Sequence, residues 1–130
     1  MSDTAAAVCW FEIPVLDLER AERFYQALFG CAFTREAAAT GDPNVMLSMF
    51  GARDGARPAL CGCLIRGTPL KPSAAGVTIY FTAPDLDCAL ARAVAAGGSV
   101  LVPKTAIGPY GAFAHVLDCE GNRIGLHSPG

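Results

Sequence analysis

The chain has 130 residues, 52% of them apolar, and a formal net charge of -2. That length supports one domain with its own core, and the balanced charge excludes a field that would draw nucleic acid or an anionic membrane surface. No apolar run approaches the roughly 20 residues of a membrane-spanning helix, and Met1-Ser2-Asp3-Thr4 carries an acid and no basic segment, so neither a membrane span nor a secretory signal is expected.

A first strand is predicted over residues 8–15, with Pro14 near its end, where a ladder tolerates a missing donor. A helix follows over 18–29. Asp17 is its N-cap, Leu18, Ala21, Phe24, Tyr25 and Leu28 recur at three- and four-residue spacing on one stripe, and Gly30 ends it. Short strands are predicted at 31–36, 44–50 and 58–66, the last two joined by the polar hairpin loop 51–57. Residues 67–75, with Pro69 and Pro72, form a linker, after which the pattern restarts. A strand at 76–82 leads to a helix at 86–96 capped by Asp85, with Leu86, Ala89, Leu90, Ala93 and Val94 inward and Gly97-Gly98 at its end. Strands at 99–103, 112–117 and 123–127 complete the chain, the last two joined by the turn Asp118-Cys119-Glu120-Gly121-Asn122.

The first helix with its caps recurs 68 positions later, residues 17–30 aligning with 85–98. Five of the fourteen pairs are identical, where ordinary residue usage gives about one or two by chance. Capping preference accounts for the Asp and Gly pairs, but not for the apolar runs that flank both copies. Each half therefore reads βαβββ. The predicted fold is α+β: two βαβββ modules, at about 8–66 and 76–128 of a single domain over 1–130, forming a curved eight-stranded mixed sheet with one helix packed outside each module. A concave side between two such modules is a natural pocket.

Six cysteines in an apolar chain without an export signal are expected to be free thiols of a cytoplasmic protein. Cys61 and Cys63 share one strand face, but no second close Cys/His pair completes a zinc site, so they read as small buried hydrophobes.

The run Trp10-Phe11-Glu12-Ile13-Pro14-Val15-Leu16-Asp17-Leu18-Glu19-Arg20-Ala21, followed by Phe24-Tyr25 and Leu28-Phe29-Gly30, resembles the first module of the vicinal oxygen chelate superfamily, the glyoxalase I, bleomycin-resistance protein and extradiol dioxygenase relatives. The stretch from Phe113 through His115 and Asp118 to Leu126 resembles their closing hairpin, with Cys119 where the usual Asp-Pro-x-Gly turn has proline. The resemblance implies a small-molecule ligand and pairing into a homodimer. It also implies metal ligands at the start of the first strand and near the last strand of each module, places held here by Trp10, Val77, Gly125 and a residue near Cys61 or Cys63. Trp, Val and Gly have no ligating side chain, so the glyoxalase-type metal centre is expected to be absent and no cofactor is predicted. The alternative keeps a divalent metal on shifted ligands. Glu12 and His127 lie two positions beyond a ligand place, hence on the same strand face, and Cys61 or His115 would complete the set.

The pocket is expected to be lined by Trp10, Glu12, Cys61, Cys63, Ile79, Phe81 and Tyr110, with His115 a further candidate. Glu12 sits among Trp10, Phe11 and Ile13, where a buried carboxylate either finds a partner or takes up a proton. It is a general base or hydrogen-bonding anchor, or else a structural carboxylate paired with Arg123, Arg35 or a backbone amide. His115 faces the pocket or is a core histidine bonded to a carbonyl. Tyr110, in a loop with two glycines and a proline, closes over the pocket mouth or belongs to an ordinary connection. No dinucleotide fingerprint, P-loop, nucleophile elbow or zinc-protease motif competes. The expected function is metal-free binding of a small molecule. The alternatives are a metal-dependent lyase, isomerase or dioxygenase that polarises vicinal oxygens, and a pure interaction module.

Overall fold

The computed structural model describes residues 8, 10–51 and 62–129. In chain order the elements are β1 (Phe11–Pro14), α1 (Leu18–Phe29), β2 (Ala32–Ala37), β3 (Met46–Gly51), β4 (Gly62–Arg66), β5 (Tyr80–Thr82), α2 (Leu86–Ala95), β6 (Ser99–Ala106), a single 3₁₀ turn (Gly108–Tyr110), β7 (Ala112–Leu117) and β8 (Arg123–Ser128). The strands divide into two four-stranded mixed sheets, ordered β1-β4-β3-β2 and β5-β8-β7-β6. In each, the first strand runs parallel to the last and the other pairs are antiparallel, so the duplication holds at the level of topology. No helix among the described residues is long and apolar enough to cross a membrane.

Both helices start where a side-chain oxygen satisfies an orphan amide: Asp17 accepts from the Arg20 N–H and Asp85 from the Cys88 N–H, each at 3.0 Å. The whole predicted stripe of α1 is buried. In α2 only Leu86, Ala89 and Ala93 are buried. Val94, expected inward, falls on the flank of that narrower stripe and is exposed. β5 is shorter than the predicted 76–82, because Gly76 turns the chain at φ 101° and extended pairing begins only beyond it.

The helix-covered faces of both sheets share one core. Its centre is aromatic, with Phe81 packed on Phe29 at 4.7 Å between ring centroids and Phe50 on Tyr25 and Phe11 at 5.5 Å. A buried polar knot then locks the modules together. The Tyr25 hydroxyl donates to Asp118 Oδ2 at 2.7 Å, and Asp118 Oδ1 accepts from the backbone N–H groups of Glu120 and Asn122. Asn122 Nδ2 donates to the Pro14 carbonyl at 2.9 Å. Burial, and then the Asp118 charge, push the Tyr25 phenol well above its ordinary value, so it stays a donor. Beside the knot, Glu120 accepts from the Leu16 N–H and forms an ion pair with Arg20. These contacts seat the β7–β8 hairpin on the junction of β1 and α1, and thereby fix the seam where the candidate site lies.

Candidate functional site

The strand period of two gives each sheet a second, helix-free face. On β1, Ile13 turns to the core and Glu12 away from it; on β5, Phe81 turns to the core and Tyr80 away. Register then builds one row across each sheet. In the first module Glu12, Cys63, Met49 and Thr34 lie side by side, and in the second Tyr80, Gly125, His115 and Val102 do. Glu12 and Tyr80 are 68 positions apart, so the two rows are the same place in the repeat, filled with different chemistry.

In the second row the side chains connect. Tyr80 Oη is 2.6 Å from His115 Nε2, and Arg123 NH1 is 3.0 Å from His115 Nδ1. A guanidinium only donates, so Nδ1 must offer its lone pair and the ring proton sits on Nε2, where it is given to Tyr80 Oη. Gly125 makes the bond reachable. A Cβ at that position would overlap the Tyr80 ring, which crosses β8 over the bare glycine. Burial, and then the Arg123 charge, hold the His115 pKa below its ordinary value. The neutral ring is therefore the folded form, and its stabilising contribution is present above the unfolded value of about 6.5 and lost as pH falls below it. His115→Asn is expected to flatten the pH dependence of stability in that window, as checked by urea titrations at several pH values. Carboxylates such as Glu22, lowered chiefly by its bond to Arg35, act in a separate and more acidic window.

Next to this relay lies a cavity of about 460 Å³ at the seam between β1, the linker and the start of β8. Its apolar walls include Pro14, Leu70, Val77 and Ile79, and its charged groups are Glu12, Lys71 and Arg123. The linker wall is held in place by the Ser73 N–H donating to Asn122 Oδ1 at 3.0 Å and by Arg123 Nε donating to the Ala74 carbonyl at 2.9 Å.

The predicted site residues are thus partly reassembled. Glu12 and Ile79 line the cavity, while His115 borders it through Arg123. Cys63 lies beside Glu12 but is fully buried, and burial, then the Glu12 charge, push its thiol up to about 12. Trp10 precedes β1 and is 40% exposed. Tyr110 is 72% exposed on its 3₁₀ turn, and its carbonyl accepts from His127 Nε2 at 2.7 Å. Cys61 lies outside the described residues. Phe81 is corrected: it belongs to the aromatic core, since the alternation on β5 sends Tyr80 to the open face instead. The premise about Glu12 is corrected too. Its side chain is exposed rather than buried among aromatics, and neither Arg35, paired with Glu22, nor Arg123 bonds to it. Glu12→Gln is accordingly expected to change stability by no more than about 0.5 kcal/mol in a denaturant titration.

Sequence inspection missed Tyr80 and named Arg123 only as a candidate partner of Glu12. The signal for Tyr80 was the alternation with Phe81; Arg123 became visible as part of the site only once the hairpin register brought it beside His115.

The residues present do not fit the family's metal centre. Among the described residues no three His, Cys, Asp or Glu side chains converge on a common point. A ligand grown at the Gly125 place would collide with Tyr80. Of the shifted set, both ring nitrogens of His115 are hydrogen-bonded and His127 Nε2 is 2.7 Å from the Tyr110 carbonyl, while Cys61 lies outside the described residues.

Residues 7–126 match the family model described as the Glyoxalase/Bleomycin resistance protein/Dioxygenase superfamily. Among solved structures, glyoxalase I from Zea mays superposes with a TM-score of 0.71 and 17% identity, over 99% of this chain and 48% of that one. The chain therefore spans about half the length of that enzyme. A glyoxalase family protein from Bacillus cereus gives 0.73 and 18%, over 97% and 95% of the two chains. A variant of the fosfomycin resistance protein FosX from Listeria monocytogenes, in complex with Mn(II) and a dihydroxypropylphosphonic acid, gives 0.67 and 15%, over 98% and 95%. At these identities the likeness is one of fold. Among curated proteins no match to the sequence was found.

Proposed function

Since the chain belongs to the Glyoxalase/Bleomycin resistance protein/Dioxygenase superfamily, we propose that it is a small-molecule-binding protein that holds its ligand in the seam cavity without the family's metal centre. The observation that carries this proposal is the Gly125 place, where the Tyr80 ring occupies the space a ligand side chain needs. The mix of apolar walls with a few charged groups suits a small organic ligand that is oriented by polar contacts. Glu12, exposed on the cavity wall, is the acceptor available to a hydroxyl or ammonium group of such a ligand.

The competing proposal is a lyase, isomerase or dioxygenase that binds a divalent ion through shifted ligands. Metal analysis of protein purified without chelator or affinity tag separates the two. The expected result is metal far below one equivalent and no rise in melting temperature on adding Zn, Ni, Mn or Fe. One tightly held equivalent, with a stabilised fold, would overturn the metal-free proposal.

The proposal includes a homodimer and a cytoplasmic setting. Support for pairing comes from the helix-free side of the second module, where Tyr80 is half exposed, and from the exposed apolar residues Trp10 ahead of β1 and Val77 ahead of β5. Sedimentation equilibrium is expected to return twice the chain mass of 13.5 kDa.

A further inference from the structure

We infer that the seam cavity takes a small organic anion, with the Arg123 guanidinium as its counter-charge and His115 and Tyr80 as positioning residues that aim that guanidinium. This rests on the proposed metal-free binding function and deepens it by naming a ligand class.

Arg123 is held at two of its nitrogens, by the Ala74 carbonyl at Nε and by His115 Nδ1 at NH1. The remaining N–H donors, chiefly those of NH2, have no partner among the described residues, and the residue lines the cavity. Among the described residues no carboxylate forms an ion pair with it, in contrast to Arg20, Arg23 and Arg35. Lys71 lines the same cavity, so two cations face one carboxylate, Glu12, and the walls carry a net positive charge. A fixed guanidinium fork with free donors in a mostly apolar recess is the arrangement that recognises a carboxylate or phosphonate.

The relay explains how the fork is fixed. His115 can accept from Arg123 only while Nδ1 is bare, and Tyr80 favours that tautomer by accepting the hydrogen bond from Nε2–H. Tyr80 reaches that proton because Gly125 has no side chain. In the sequence, Gly125 stands where metal-dependent relatives would place a ligand. The place that would have held a cation's ligand is here emptied so that a protein cation, Arg123, can be aimed at the pocket.

The test uses phenylacetate and phenylphosphonate as anionic probes and phenylacetamide as the neutral isostere, each titrated into the full chain labelled with nitrogen-15. Both anions are expected to shift the amides of residues 70–77 and 123–125, and phenylacetate is expected to bind about ten-fold or more tighter than the amide. Added salt should weaken the anions and leave the amide unchanged. Arg123→Met should erase the preference while Arg123→Lys retains part of it. His115→Leu should reduce the preference, and His115→Asn, whose Oδ1 can accept from Arg123 in place of Nδ1, should restore part of it. The ring nitrogens of His115 should report the Nε2-protonated tautomer. The inference is overturned by equal binding of amide and acid, by no shift from either anion, or by a preference that survives Arg123→Met and ignores salt. A ring protonated at Nδ1 overturns the positioning role. Loss of anion preference in metal-free protein sinks only this inference, whereas a stoichiometric metal sinks the proposed function itself.

Discussion

Asp118→Ala is expected to destabilise the protein by about 3 kcal/mol or more, as a lowered urea midpoint at an unchanged slope. Asp118 is 3% exposed and accepts four hydrogen bonds, from the Tyr25 hydroxyl, the Glu120 and Asn122 backbone amides and the Asn122 side chain. Alanine strands a fully buried phenol and a buried amide, each costing about 1–3 kcal/mol when left unpaired. Tyr25→Phe is expected to cost only about 1 kcal/mol, since the carboxylate keeps its other three donors. The double variant Tyr25→Phe/Asp118→Ala should therefore be less destabilised than the sum of the two, because the stranded hydroxyl is gone. Simple additivity would show that the knot does not act as a unit. Because the knot also holds the β7–β8 hairpin against Pro14, Asp118→Ala should disturb the seam cavity and weaken probe binding even where the fold survives.

Gly98→Ala is expected to cost a comparable amount, about 3 kcal/mol. A Cβ there would stand 2.6 Å from the Leu117 carbonyl oxygen, 2.9 Å from the Phe24 ring and 3.0 Å from the Ala93 carbonyl oxygen. Two of those neighbours are backbone, and the third is a buried core ring, so none can move aside cheaply. The neighbouring Gly97 is a glycine for another reason. It adopts φ 103°, and an added Cβ would meet only the Cys119 Cβ at an unstrained 3.7 Å, so Gly97→Ala is expected to carry only the backbone strain of about 1–2 kcal/mol. Thermal unfolding of both variants is expected to rank Gly98→Ala as the more damaging.

This pair shows how far the internal repeat can be followed. Alignment equates Gly30 with Gly98, yet Gly30 is a left-handed C-cap at φ 68° whose N–H bonds the Gln26 carbonyl. In the second copy Ala96 caps the helix, Gly97 makes the left-handed turn, and Gly98 is kept by close packing against β7 and α1. The first helix was legible to the residue because its caps and stripe are local interactions within one stretch of chain. The buried face of α2 was less so, with Val94 set on the wrong side, because the width of a buried stripe depends on what packs against it.

The same division governs the candidate site. Glu12, Ile79 and His115 could be named from strand position and residue type, but whether a strand face looks to the core or away from it is a choice between two registers. For β5 that choice placed Phe81 among the aromatics of the core and Tyr80 over Gly125. By itself the sequence determined the duplicated βαβββ plan, the first helix with its caps, and the lack of a ligating side chain at Trp10 and Gly125, all of which are written in local spacing and residue type. Only the tertiary structure decided that Tyr80, His115 and Arg123 form one relay beside a cavity. Those three residues come from three strands, and the contact between them exists only after parallel β5–β8 and antiparallel β7–β8 pairing have set the register.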